Sequence, residues 1–285
     1  MEVSYYPGCS LHGMAAEYDD SVRSVCRALG IGLVELDDWN CCGASSAHFI
    51  DDDLAIRLPA RNMAIAEREG RELLVPCSAC FHRLKHADKE LRKDSARWIS
   101  QPYKGAAEVF HVNDFFDRPE LLGVVKRHVI RPLTGLAGVP YYGCLSQRPP
   151  KVTDCRSPED PLSMDNVMRA IGMEVRPWSY KTDCCGASLP LTRPDVVRKL
   201  CGDLLEAAVE AGAECLVTAC PLCQSNLDTM QAEVEAERGT RYALPVFYLT
   251  ELMAVALGDD DGESAGWWKR HFVEPTALLE SKGLL

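Results

Sequence analysis

The chain has 285 residues, a formal net charge of -11 and an isoelectric point near 5.2. This length can bury a hydrophobic core without cross-links, and an acidic chain with no run of Lys and Arg is not expected to bind nucleic acid. The sequence has no basic and apolar export signal and no window approaching eighteen apolar residues, so we expect a cytoplasmic protein without a membrane span.

Short β-prone segments and amphipathic helical segments alternate along the first half. Residues 2–6 predict a strand that leads to Cys9, and Gly30 and Gly70 are expected to end two of the helices. After the first strand the predicted elements are helix 14–29, strand 32–36, helix 53–69, strand 72–76, helix 78–92, a strand and turn over 108–116, and helix 119–130. Such alternation predicts parallel βα units whose carboxyl ends share one edge of a sheet.

The second half repeats this plan. Its predicted elements are strand 139–142, helix 161–171, strand 173–177, helix 194–211, strand 214–218, helix 221–237 and helix 250–257. We predict an α/β fold of two pseudo-symmetric Rossmann-like βα halves, with cysteine loops at the C-terminal strand ends. The predicted units are residues 1–135, 136–257 and, as a linker and docking segment, 258–285.

The docking segment begins with an acidic stretch over residues 258–264. Two adjacent tryptophans, Trp267 and Trp268, follow it and cannot both face the same way on a helix. We therefore expect at least one of them to pack against the body of the protein or against a partner chain.

Ten of the fourteen cysteines form two sets with the same order: a lone cysteine, a Cys-Cys-Gly doublet and a CxxC pair. The gap from doublet to pair is 34 residues in both sets, and the gap from the lone cysteine to the doublet is 31 residues in the first and 39 in the second. This match is an internal repeat. The eight extra residues fall in or near the Pro-rich stretch 147–156, which is predicted to be either a substrate or partner loop or a tolerated surface insertion.

Fourteen cysteines without an export signal indicate thiols that bind metal or carry out redox chemistry rather than structural disulfides. A zinc ion takes four ligands, whereas each set offers five, and adjacent cysteines such as Cys41 and Cys42 fill two corners of one tetrahedron poorly. A multi-iron cluster accepts adjacent and bridging thiolates, and Gly43 and Gly186 would allow a sharp turn with room for a bulky core. The cysteine run of bacterial ferredoxins is absent.

Four cysteines have no counterpart across the repeat. Three of them, Cys26, Cys201 and Cys215, lie in predicted helices or a strand and are expected to be small buried apolar residues. Cys155 lies in the loop near Cys144, where it is either another buried residue or an exposed reactive thiol.

The doubled pattern closely resembles the cysteine-rich CCG domains of the B-type subunit of heterodisulfide reductase and its bacterial relatives. The resemblance runs from Cys9 to Cys223, nearly the whole chain. It implies two noncubane 4Fe-4S clusters that face one another across a cavity. The resemblance implies as ligands Cys9, Cys41, Cys42, Cys77 and Cys80 for the first cluster, and Cys144, Cys184, Cys185, Cys220 and Cys223 for the second.

The resemblance further implies that a small-molecule or protein-bound disulfide is cleaved to two thiols, or that the reverse thiol or sulfur oxidation occurs. Because the chain carries no dinucleotide fingerprint, other chains must supply the electrons if it moves any. The resemblance implies a small iron-sulfur subunit of the C type as the immediate donor and a flavin subunit of the A type beyond it. His12 and His48 are candidate proton donors, with ordinary surface or core histidines as the alternative. Lys181 is either a residue that attracts an acidic substrate or tunes cluster charge, or a solvated surface lysine.

Two other functions are compatible with the sequence. The chain could be a non-catalytic electron-relay or docking subunit of a dehydrogenase complex, as where CCG domains occur in glycolate or glycerol-3-phosphate oxidising complexes. It could also be a structural zinc protein. The cubane-binding segments often fused to relay proteins are missing here, which favours the disulfide reductase.

Overall fold

The structure is a computed structural model that describes residues 1–258 and 264–285, so residues 259–263 of the predicted acidic stretch lie outside the described residues. Its strands are short and mostly apolar because helices cover them on both faces. The inner strands are fully or almost fully buried. The strands are β1 (Glu2–Tyr5), β2 (Gly32–Glu35), β3 (Leu73–Val75), β4 (Val109–His111), β5 (Ala137–Tyr141), β6 (Glu174–Val175), β7 (Cys215–Thr218) and β8 (Val246–Tyr248).

The helices lie between and after these strands. Those before β5 are α1 (Gly8–Leu11), α2 (Ala16–Ala28), α3 (Ala47–Ile50), α4 (Asp52–Glu69), α5 (Ser78–Lys93), α6 (Val112–Asp117) and α7 (Pro119–His128). Those after β5 are α8 (Pro150–Thr153), α9 (Ser163–Ala170), α10 (Pro194–Glu210), α11 (Pro221–Thr229), α12 (Gln231–Arg238), α13 (Leu249–Leu257), α14 (Ser264–Trp268) and α15 (Thr276–Ser281). None of the helices in the described part of the chain is long and apolar enough to cross a membrane.

The strands form two four-stranded parallel sheets of the same topology. Their strand orders are β2-β1-β3-β4 and β6-β5-β7-β8. In the register, Val75 lies opposite His111 in the first sheet, and Thr218 lies opposite Tyr248 in the second. Because all strands of a sheet run the same way, the loops that follow them meet at one edge. The predicted α/β fold of two Rossmann-like halves is confirmed.

Some element boundaries differ from the prediction. The helix predicted over 221–237 is two helices with a turn at Met230. Next to this turn, the side-chain NH2 group of Gln231 donates to the backbone carbonyl of Leu244, and its side-chain oxygen accepts from the backbone N–H of Leu244. Strand β8 was not predicted, because a three-residue strand that runs straight into a helix leaves no alternating pattern. The predicted turn after β4 is helix α6, and the short helices α3 and α8 were also missed.

One apolar core spans both halves, each half also has a core of its own, and the helices of the two halves have an approximate twofold arrangement. Helix α2 packs against α13, and at the equivalent place α9 packs against α6. At the first contact the rings of Tyr18 and Tyr248 stack with their centroids 4.0 Å apart, and the hydroxyls of Ser21 and Thr250 lie 2.7 Å apart. Each half therefore completes its packing with a helix from the other.

The C-terminal segment is docked onto the second half. Trp267 and Trp268 are each 3% exposed, which confirms that they pack against the body of the protein. The Nε2 atom of His271 lies 3.0 Å from Oε1 of the fully buried Glu251. Asp228 accepts hydrogen bonds from the backbone N–H groups that follow His271.

The ion pair of His271 predicts a pH dependence of stability. Burial alone would lower the pKa of His271, but the Glu251 carboxylate outweighs burial and raises the pKa from 6.5 to about 9. A histidine whose pKa is higher in the folded protein stabilises it fully below the unfolded pKa of 6.5, and the stabilisation is lost as pH rises through 9. Asp228 and Glu17 also face this group, and burial raises the pKa of both carboxyls.

The wild type should have a larger free energy of unfolding than His271→Gln. We expect this difference to be about 3 kcal/mol greater at pH 6 than at pH 9.5. Urea denaturation at both pH values measures it. Replacement of the exposed His128 by Gln is the control and should show no such change. If the wild type and His271→Gln differed in free energy of unfolding by the same amount at both pH values, the stabilising ion pair between His271 and Glu251 would be contradicted.

Candidate metal centre

The fold delivers the cysteines of each half to one sheet edge. In the first half Cys9 follows β1, the doublet follows β2, and Cys77 stands between β3 and the first turn of α5. In the second half the lone cysteine follows β5, the doublet follows β6, and Cys220 precedes α11. The predicted cysteine loops at the C-terminal strand ends are present in both halves.

The same sulfur contacts occur twice. The Sγ atoms of Cys42 and Cys80 lie 3.2 Å apart, and those of their counterparts Cys185 and Cys223 lie 3.6 Å apart. The first cysteine of each doublet accepts a backbone hydrogen bond from the glycine two residues later, at 3.4 Å in the first half and 3.3 Å in the second. The repeat seen in sequence is therefore also a repeat of local geometry.

Two tyrosines hold the doublet loops. The Tyr6 hydroxyl donates to the carbonyl of Asn40 at 2.8 Å, and the Tyr141 hydroxyl donates to the carbonyl of Asp183 at 2.7 Å. Each bond ties the end of the strand before the lone cysteine to the residue just before the doublet. Both tyrosines are fully buried, whereas the accepting residues, Asn40 and Asp183, lie nearer the solvent.

Glycines bring the backbone against the CxxC sulfurs. Gly8 and Gly143 have φ of 71° and 65°, and a Cβ there would lie 2.9 Å from Sγ of Cys80 and 3.0 Å from Sγ of Cys223, respectively. The sharp turn expected after each doublet is confirmed, with φ of 74° at Gly43 and 79° in the second half. The prediction explained glycine at these positions by the room that a bulky cluster needs. At Gly43 the structure gives a different reason for glycine, because a Cβ there would meet side chains of α3 and α4.

The two CxxC pairs meet across the halves. The Cys223 and Cys77 thiols hold the pKa of Cys220 well below its usual value, and Cys220 in turn raises the pKa of Cys77. The thiols of the two sets therefore influence one another across the halves.

The ten cysteines of the two sets differ in solvent exposure. The neighbouring Cys144 thiol lowers the pKa of Cys184 to about 6, and Cys184 together with burial raises the pKa of Cys144. The exposed members of the two sets are Cys9, Cys41 and Cys184, while Cys144 is half-buried and the other six are buried. The outer cysteines are accessible to a molecule outside the protein, and the inner ones are not.

A small apolar cavity of about 10 Å³ adjoins the second set, with room for about one water. Besides four cysteines of that set it is lined by Leu145, Leu222 and Tyr141 of the second half, and by Ser78 of the first half. A residue of the first half therefore helps to close the cavity of the second.

The donor set fits an iron-sulfur cluster in each half, because five soft thiols lie at one sheet edge and one of them accepts a backbone N–H bond. The shortest sulfur contacts are pairwise. Within residues 1–258 and 264–285, no three His, Cys, Asp or Glu side chains are grouped as the ligands of a single metal ion.

Both predicted proton donors lie in the first half, where His12 is exposed and His48 is half-buried. Nε2 of His12 is 3.2 Å from Oε1 of Glu35, and the imidazole meets the edge of Trp39. His48 packs on the exposed Phe49. Their role in proton donation stays a prediction.

Sequence analysis missed His111, which is 1% exposed and ends β4. Its Nε2 lies 3.1 Å from the Ser78 hydroxyl, next to the first CxxC pair, and burial lowers its pKa. The sequence did contain a signal for a role of His111 near the cysteines, because this residue lies at the end of a predicted strand that neighbours the strand before Cys77.

The prediction of a solvated surface lysine at position 181 is wrong. Lys181 is 6% exposed, and its ammonium group lies 2.7 Å from Asp160 and 3.0 Å from Asp165. The carboxylates stabilise the buried charge, so this lysine ties the loop before the second doublet to α9.

The loop inserted in the second half contacts the first half. Helix α8 packs against α5, and Asp154 forms ion pairs with Lys85, at 2.7 Å, and with Lys89. Cys155 is half-buried, its thiol donates to Gln147 at 2.9 Å, and burial raises its pKa, so it is not an activated thiol. The three other cysteines outside the repeat are at most 1% exposed, as predicted.

The chain belongs to the CCG family of cysteine-rich domain proteins, whose profile matches residues 3–85 and again 139–228. It is 31% identical over 264 residues to the 8-methylmenaquinol:fumarate reductase membrane anchor subunit of Wolinella succinogenes, covering 90% of this chain and 92% of that protein. It is 29% identical to the B-type subunit of the ferredoxin/F420H2-dependent CoB-CoM heterodisulfide reductase of Methanosarcina acetivorans, covering 90% and 89%. The predicted resemblance to the B-type subunit of heterodisulfide reductase is confirmed.

Two further matches support the family and the fold. A protein of Archaeoglobus profundus that is named as similar to the same B-type subunit is 27% identical and covers 91% of each chain. The crystal structure of a hypothetical protein from Helicobacter pylori superimposes with a TM-score of 0.74 at 13% identity, covering 96% of this chain and 52% of that chain. At that identity the second match concerns the fold alone.

Proposed function

We propose that each half binds a noncubane 4Fe-4S cluster through its five cysteines and that the chain is a catalytic subunit like the B-type subunit of heterodisulfide reductase. The reaction is R–S–S–R′ + 2 e⁻ + 2 H⁺ → RSH + R′SH, or its reverse. The observation that carries the proposal is the repeated sulfur geometry at one sheet edge of each half, where the Sγ atoms of Cys42 and Cys80 lie 3.2 Å apart and those of Cys185 and Cys223 lie 3.6 Å apart. When bound, such clusters would supply electrons and Lewis-acidic iron.

The residues of the chain contribute binding and proton transfer. The apolar side chains of Leu145, Leu222 and Tyr141 exclude water from the inner cysteines. The exposed cysteines and the exposed His12 lie on the solvent side, where a disulfide and its protons would arrive, and the half-buried His48 is the other proposed proton donor. His12 beside Glu35 is the better placed donor, because a carboxylate partner orients its imidazole.

We further propose that the protein works in the cytoplasm within a multisubunit complex. The electrons would come from a small iron-sulfur subunit of the C type, supplied in turn by a flavin subunit of the A type. The names of the relatives, which are subunits of heterodisulfide reductases, support this assembly.

A second candidate is a non-catalytic relay or docking subunit of a dehydrogenase complex. The 31% identity to a protein named as a fumarate reductase membrane anchor subunit favours it. In that function the same cysteines would hold clusters, but no disulfide would be cleaved.

The test is anaerobic reconstitution followed by metal, sulfide and thiol analysis. We expect about eight irons and an equal amount of acid-labile sulfide per chain, as two 4Fe-4S clusters require. We also expect that the reduced protein releases two thiols per added mixed disulfide of short aliphatic thiols, at a catalytic rate. Clusters without thiol release would favour the relay function, and zinc without sulfide would contradict both.

A further inference from the structure

The two cysteine doublets are held in place by different buried asparagines. In the first half the side chain of Asn62 accepts from the backbone N–H of Asn40 at 3.0 Å and donates to its carbonyl at 2.8 Å, so α4 holds the residue before the doublet. In the second half Asn226 of α11 donates through Nδ2 to the carbonyl of Cys185 at 3.1 Å. The second doublet is therefore tied directly to the helix that carries Cys223.

The Asn226 amide also reaches a cysteine sulfur. Its Nδ2 atom lies 3.9 Å from Sγ of Cys185, and the residue is 3% exposed. Because the carbonyl of Cys185 can only accept hydrogen bonds, the NH2 end of the amide faces the doublet, and its second N–H is available to the sulfur. The shorter bond to the carbonyl thus fixes the donor, and the longer contact with the sulfur is the weaker of the two.

The equivalent position of the first half carries no amide. Arg83 follows Cys80 by three residues, as Asn226 follows Cys223. Arg83 is half-buried, and among the residues that the structure describes its guanidinium forms no hydrogen bond with a cysteine. The two halves therefore differ in the link between the helix of the CxxC pair and the doublet.

We infer that Asn226 positions the second doublet and raises the reduction potential of the second centre, which is the cluster proposed for the second set of cysteines. A hydrogen bond to a ligand sulfur stabilises the extra negative charge of the reduced state, and such bonds are among the factors that set cluster potentials. Asn226 is a positioning residue, because it acts through Cys185. The inference rests on the proposed function, since the potential requires a cluster in the second half.

The first test is a redox titration of the reconstituted protein, followed by electron paramagnetic resonance. Cys184→Ser identifies the transition of the second centre, because Cys184 belongs to that set. Asn226→Leu has a similar size but no donor, and we expect it to lower the reduced-to-oxidised ratio of the second centre at fixed potential about threefold, or about 28 mV for one electron. Asn226→Asp, which replaces the donor by an acceptor oxygen, should lower the potential further. The first transition should not move in either variant.

The second test needs no cluster. Cys185 is 2% exposed, and without the bond to Asn226 the doublet loop should open more often in the reduced, cluster-free protein. We expect Cys185 to react with iodoacetamide faster in Asn226→Leu than in the wild type, as measured by mass spectrometry. The fully buried Cys215 should react at an unchanged rate.

The matched control is Gln231→Leu. Gln231 is 2% exposed, and its amide donates to the carbonyls of Leu227 and Leu244 rather than to that of a cysteine. This variant should leave both redox transitions and the alkylation of Cys185 unchanged.

The inference is overturned if, with two clusters present, both variants of Asn226 leave the second transition in place or move the two transitions equally. It is also overturned if Cys185 is not alkylated faster in Asn226→Leu, and this rate decides where a variant assembles no second cluster. A wild type without iron and sulfide would instead overturn the proposed function, and the alkylation rates would still test the positioning by Asn226.

Discussion

Replacement of Cys185 by alanine is expected to remove about half of the iron and sulfide and to abolish thiol release. Cys185 is 2% exposed, and its Sγ lies 3.6 Å from that of Cys223, so it is an inner member of the second set. Because a 4Fe-4S cluster depends on its thiolate ligands, the loss of an inner ligand should prevent the second cluster from assembling. Iron and sulfide analysis with a thiol assay measures the outcome.

Cys201→Ala provides the control. Cys201 is fully buried and its thiol approaches the carbonyl of Cys185 at 3.6 Å, but it belongs to neither set. This variant should keep its full iron content and activity. If it lost iron to the same extent as Cys185→Ala, the loss would reflect packing around the doublet and not ligation.

Replacement of Glu251 by alanine is expected to destabilise the protein by about 3–5 kcal/mol. Glu251 is fully buried and accepts from the backbone N–H of Tyr248 at 2.8 Å as well as from His271. Its removal leaves a buried N–H and a buried imidazole without their partner, and the C-terminal segment loses its anchor. Urea denaturation followed by tryptophan fluorescence measures the change in the free energy of unfolding.

Glu206→Ala is the matched control, because Glu206 also pairs with a cation, Arg238, at 2.6 Å, but in an exposed setting. We expect a loss of less than about 1 kcal/mol for an exposed pair. If the two variants lost similar amounts of unfolding free energy, burial would add nothing to the contribution of Glu251 to stability, and the prediction would be contradicted.

The sequence was sufficient to predict the sheet edge on which the cysteines lie. Each of the two sets follows the strands of one βα half, and parallel strands bring such loops together whatever their lengths. The equal spacing from doublet to CxxC pair in both halves then predicted two equivalent groups of thiols. Contacts such as that between Cys42 and Cys80 confirm the grouping within each half.

Pairings between distant segments could not be predicted. The burial of Lys181 depends on Asp160 and Asp165, which the fold of the second half brings beside it. His111 likewise becomes a neighbour of Ser78 only through the pairing of β4 with β3. Local patterns describe the periodicity of one segment, whereas these contacts depend on which segments meet in the folded chain.

The packing of α2 against α13 has a consequence for biosynthesis. Tyr18 stacks on Tyr248, which is added to the nascent chain 230 residues later. At 5–20 residues per second a ribosome needs roughly 10–50 s to cover that distance. During this interval the apolar face of α2 lacks its native cover, so newly made chains should depend on chaperones until translation ends.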